Sequence, residues 1–127
     1  MFIKRKHKEL IKYEYGVDLY RLYPWANVAN PSWGSAIATI RPGESTTPHE
    51  HDEFETFIII NGSGDMIIEN DVQAVYSGDV IFIPKNMNHQ LINHSKEIEL
   101  VFVTIFWDSP ESREKLKSIL EKNQDDI

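Results

Sequence analysis

Between residues 36 and 107 the apolar positions come in short β-prone runs, alternating or continuous, broken by small and turn-forming residues. That rhythm predicts strands over 36–40, 55–60, 65–69, 72–76, 80–83, 89–93 and 98–107. Asn61-Gly62-Ser63-Gly64, Asn70-Asp71 and Ser77-Gly78-Asp79 supply the residues that reverse the chain between them. Many short strands without intervening helices define an all-β sandwich or barrel. Residues 9–15 read equally as a strand or as a helical turn, and 17–23 reads as extended before Pro24 and Pro31 interrupt it. Both are expected to add strands to one sheet. After Trp107 the period changes: Ser109 can cap, Pro110 suits a first helical position, and Leu116, Ile119 and Leu120 share a face. A short C-terminal helix over 109–123 is the expectation.

A chain of 127 residues fits one domain, 1–127, with a barrel core over about 34–107 and N-terminal strands within 1–33. The 13 Lys and Arg against 20 Asp and Glu leave a formal charge of -7, which argues against a nucleic-acid partner. Five of those cations, Lys4, Arg5, Lys6, Lys8 and Lys12, open the chain and read as a solvated arm. No run is long and apolar enough for a membrane span and no leader pattern is visible, so the expectation is a cytoplasmic protein. Cysteine is absent, so a transition-metal site would have to use imidazole and carboxylate.

Two segments carry that chemistry: Gly43-x5-His49-x-His51-x3-Glu55-x6-Gly62 and Gly78-x5-Pro84-x4-His89-x3-Asn93. Nine specified residues at about 5% usage each would recur by chance with a probability on the order of 10⁻¹¹ to 10⁻¹². Even offsets let His49, His51 and Glu55 point into a barrel from one strand, with His89 arriving from another. Gly62 and Gly78 suit turns at the strand ends, and Pro84 suits a barrel mouth. Three imidazoles and one carboxylate suit one divalent transition metal ion, zinc or iron first, with manganese, nickel or copper also compatible.

The paired segments resemble the motifs of the cupin superfamily, over residues 43–93. The resemblance implies a single-domain cupin jelly-roll β-barrel with metal ligands His49, His51, Glu55 and His89, and it makes Glu55 and His89 the candidate catalytic residues. Family members usually place glycine two residues after the motif proline; Asn86 stands there instead, and Asn tolerates left-handed backbone. Small members of the superfamily also imply a homodimer.

The resemblance implies a metal-dependent enzyme acting on a small-molecule substrate, with dioxygenase, isomerase and decarboxylase chemistry all compatible. Residues 49–57 and the Phe106-Trp107-Asp108 ending further resemble cupin modules that accompany methionyl-tRNA-synthetase-like domains in hydrazine-forming enzymes. That likeness implies a zinc-dependent rearrangement forming a nitrogen–nitrogen bond, with a separate synthetase-like partner enzyme. A ligand-binding or sensor protein without turnover, and a purely structural metal, are the competing readings. His7 and His94 fall outside the pattern and read as ordinary polar residues, Glu53 as solvated or bulged sooner than as a pocket acid. Gln90 and Asn93 either orient the ligands or hold a turn, and most of Trp25, Trp33, Phe57, Phe82, Phe106 and Trp107 read as core.

Overall fold

A computed structural model describes residues 1–125; residues 126 and 127 of the expected domain lie outside the described residues. Among the described residues, nine strands form two antiparallel sheets. The larger runs in the order β1 (Ile11–Glu14), β2 (Val17–Tyr23), β3 (Trp33–Ile40), β9 (Leu100–Trp107), β4 (Phe54–Asn61) and β7 (Val80–Ile83). The smaller has the order β6 (Asp71–Tyr76), β5 (Ser63–Ile68), β8 (His89–Ile92). Helix α1 (Pro110–Asp125) ends the described chain. This is a two-sheet jelly roll whose sheets do not close by continuous pairing; isolated bridges Ser45↔Ile92 and His49↔His89 tie the segment before β4 to β8.

Alternation builds the core. On β4, Glu55, Phe57 and Ile59 are buried while Thr56 and Ile58 are half-buried; on β9, Leu100, Phe102 and Thr104 are buried while Val101 and Val103 are not. The inward set meets Met66 of β5 and Leu91 of β8 across the sandwich. Gly62 and Gly78 have φ of 85° and 94°, backbone that a Cβ would strain, so the β4–β5 and β6–β7 reversals fall where the sequence put them. The amino-terminal ambiguity resolves both ways: a 3₁₀ turn over Lys8–Leu10 runs straight into β1. Lys4 departs from the solvated-arm expectation, since its ammonium donates to the Leu22 carbonyl at 2.6 Å and lies 5.1 Å from the Trp25 ring centroid. Arg5, Lys6, Lys8 and Lys12 are exposed as expected.

Helix α1 begins as the capping residues dictate, with Ser109 Oγ accepting from the Ser112 N–H at 3.1 Å. Arg113 fastens its first turn to the body through Asp52 at 2.6 Å and the Asp108 carbonyl at 2.5 Å. The apolar face of the helix remains open: Leu116, Ile119 and Leu120 are 50–57% exposed. No helix among the described residues is long and apolar enough to cross a membrane.

Candidate metal centre

His49, His51, Glu55 and His89 each present one donor atom, and these atoms lie within 4.8 Å of one another. The route to this convergence differs from the single strand expected. His49 sits in an isolated bridge to His89, His51 lies beyond it outside any strand, the chain bends at Asp52 and Glu53, and only Glu55 belongs to β4. That bend replaces simple strand alternation in aiming His51. Asn86 holds the outside of it: with φ of 60°, the left-handed turn expected of it, its N–H donates to the His51 carbonyl at 2.9 Å.

Each imidazole is oriented by the backbone. Nδ1 of His49, His51 and His89 lies 2.7, 3.2 and 2.9 Å from the carbonyls of Thr47, Glu53 and Met87. A carbonyl can only accept, so all three Nδ1 atoms carry a proton; His51 Nε2, 2.9 Å from Glu55 Oε1, carries one too in the metal-free protein, and Nε2 is in each ring the nitrogen left to face the cluster. The His89 ring is 1% exposed and its Nε2 has no hydrogen-bond partner. Its 3.3 Å approach to Glu55 Oε1 lacks hydrogen-bond geometry. A buried nitrogen without a partner costs free energy unless something binds it, and the three imidazoles and one carboxylate around it are the donor set a divalent transition metal takes.

Glu55 is 8% exposed. Burial pushes its carboxyl upward, but contacts with His51, His89 and Thr104 outweigh burial and hold it at about 2. The two oxygens divide the work: Oε1 faces His51 Nε2 at 2.9 Å, and Oε2 accepts from the Thr104 hydroxyl. His51 is raised by its hydrogen bond to Glu55, and His49 is lowered chiefly by burial. His49 and His51 are half-buried where Glu55 and His89 are buried, so the cluster is open on the His49–His51 side. The Tyr15 ring stacks there on His49, at 5.8 Å between centroids.

Thr104 and Tyr15 were not singled out in the sequence. Thr104 had a signal, being a polar residue at the inward parity of an otherwise apolar strand, in register with Phe57. Tyr15 had none, because its approach depends on how the β1–β2 hairpin folds back. Asn93 holds a turn: its side-chain amide donates to the carbonyls of Ile40, Arg41 and Ile98. Gln90 reaches Ser45, not a histidine. His7 is exposed, and His94 pairs with Asp65 at the surface. Glu53 is half-buried, with a carboxylate oxygen 3.8 Å from His51 Nδ1.

Most of the named aromatics are not core. Only Phe57 is fully buried, edge-on to His89 at 6.2 Å between centroids, while Phe82 is 51% exposed. Trp33, Phe106 and Trp107 line a groove of about 1080 Å³ shared with Leu116, Ile119 and Glu53. None of the four donors lines that groove, so it skirts the cluster without containing it. Gly34 lets it form, since a Cβ there would stand 2.1 Å from the Phe106 ring.

The family described as Cupin domain matches residues 36–106. A solved structure, plu4264 protein from Photorhabdus luminescens, is 34% identical, covers 95% of this chain and 98% of its own, and superposes with a TM-score of 0.80. This chain belongs to the cupin family. A Cupin 2 conserved barrel domain protein from Salinispora arenicola shares the fold at 23% identity and a TM-score of 0.79, covering 93% and 97% of the two chains. A 5-nitrosalicylic acid 1,2-dioxygenase from Bradyrhizobium is 22% identical over 92 residues, 64% of this chain. The match spans 44% of that relative's length.

Proposed function

We propose that this cupin is a metal-dependent enzyme in which His49, His51, Glu55 and His89 hold one divalent transition metal ion and a small molecule approaches from the half-buried His49–His51 side. The observation that carries the reading is the unpartnered Nε2 of His89, buried among three other donor atoms within 4.8 Å. Four protein donors in an octahedral field leave about two positions for substrate. When bound, such an ion supplies Lewis acidity, and redox chemistry with oxygen if it is iron. Glu55, its Oε2 held by Thr104, contributes negative charge through the Oε1 that faces the histidines, and His89 a buried imidazole fixed by the Met87 carbonyl.

Among reactions, oxygenation of a small aromatic acid is favoured by the likeness to the 5-nitrosalicylic acid dioxygenase. Nitrogen–nitrogen bond formation rests on the resemblance of residues 49–57 and 106–108 alone, and the relatives named above lend it no support. The test has two parts. Elemental analysis of protein purified without added metal should find close to one transition metal per chain, and His89→Ala should lose it. Iron(II)-loaded protein should then consume oxygen with hydroxybenzoates. No metal in the wild type, or full occupancy in the His89→Ala variant, overturns the site; retained metal without oxygen uptake on any hydroxybenzoate overturns only the reaction.

A further inference from the structure

The groove beside the cluster has two apolar walls. Strand ends build one, with Trp33 of β3 opposite Trp107 of β9 in register and Phe106 next to them; the other is the face of α1 that carries Leu116 and Ile119. Neither wall fills the space between them, since Leu116 and Ile119 are 57% and 50% exposed. At about 1080 Å³ the groove reaches the upper end of the volumes that small-molecule sites occupy.

The charges along it decide what fits. Asp108 is already bound by Lys85 Nζ at 2.5 Å. Glu111 and Lys115, both exposed, stand one helical turn apart on α1 and offset each other. Glu53 is the charge left over. It is half-buried, and its carboxylate makes no hydrogen bond among the described residues. Its ion-pair contact, to His51 Nδ1, is long at 3.8 Å. That nitrogen donates to the Glu53 carbonyl instead, while Glu55 meets the other side of the same ring at 2.9 Å. A carboxylate drawn partly out of water costs free energy until a donor reaches it, and the faces of indole and phenyl rings attract cations.

We propose that this groove binds a small molecule carrying an ammonium group on an apolar or aromatic body, with the ammonium against Glu53 and the body between the tryptophans and α1. An anionic ligand of the same shape meets the opposite fate, because its charge would face Glu53, and the groove's cation among the described residues is the exposed Lys115. The inference does not rest on the metal reading, since none of the four donors lines the groove.

Three probes of one shape test it on the full chain as purified: 4-phenylbutylamine, 4-phenylbutanol and 4-phenylbutyrate, titrated by calorimetry at pH 7. The amine should bind saturably and roughly tenfold tighter than the alcohol, with the carboxylate weakest. Glu53→Gln should bring amine and alcohol within about twofold of each other. Glu111→Gln, an acid on the same groove that Lys115 offsets, should leave the preference for the amine in place. Leu116→Lys, at an exposed helix position, should weaken the amine more than the alcohol and so places the site between the two walls. The comparison of the three probes on the wild type needs no variant and decides the matter even if Glu53→Gln fails to fold. No saturable binding of the amine at millimolar concentration, a carboxylate that binds as tightly as the amine, or a preference for the amine that survives in folded Glu53→Gln each overturns the proposal.

Discussion

Thr104→Val removes one oxygen and little volume, so it isolates the role of a single hydrogen bond. In the wild type the Thr104 hydroxyl donates to Glu55 Oε2 between two residues that are 6% and 8% exposed. Water cannot easily replace it there. A hydrogen bond to a charged group contributes about 1.5–3 kcal/mol net, and stranding a buried acceptor approaches the upper end. The metal-free protein should therefore unfold about 2 kcal/mol more easily. The same bond fixes which oxygen of Glu55 faces the histidines, and loss of such outer contacts typically weakens metal affinity about 10–100-fold. Zinc or cobalt titration against a chromophoric chelator measures the affinity, and denaturant unfolding measures the stability. Thr104→Ser, which keeps the hydroxyl, should recover most of both. Affinity within twofold of wild type in the valine variant, with the stability loss present, would show that Thr104 supports the fold without positioning the carboxylate.

Glu55 is held at about 2 against an ordinary 4.5, so the stabilisation it brings to the metal-free protein is complete above pH about 4.5 and is lost as pH falls towards 2. Linkage puts that at up to about 3 kcal/mol. Glu55→Gln should flatten the pH dependence of the unfolding midpoint in that window, and an unchanged slope would refute the assignment. Gly34→Ala must move the Phe106 ring, because the new Cβ would lie 2.1 Å from it; an overpacking cost of about 1–3 kcal/mol is expected in thermal unfolding. Arg113→Ala should free the first turn of α1 from Asp52, speeding amide exchange in the helix while changing global stability by under about 1 kcal/mol, since both side chains are about 40% exposed.

The sequence by itself determined the strand rhythm, the reversals at Gly62 and Gly78, the cap at Ser109, the left-handed turn at Asn86 and the identity of the four donors. These are local matters: alternation, φ preference and side-chain chemistry act between near neighbours in the chain. Tertiary structure alone decided the rest. His49 and His51 reach Glu55 through a bend before β4, not by strand parity, and Thr104 meets the carboxylate only because β9 pairs with β4 in one register. Phe57 stays in the core while Trp33, Phe106 and Trp107 line a groove. Register and packing between segments far apart in the chain set these outcomes, and no window along the chain contains both partners.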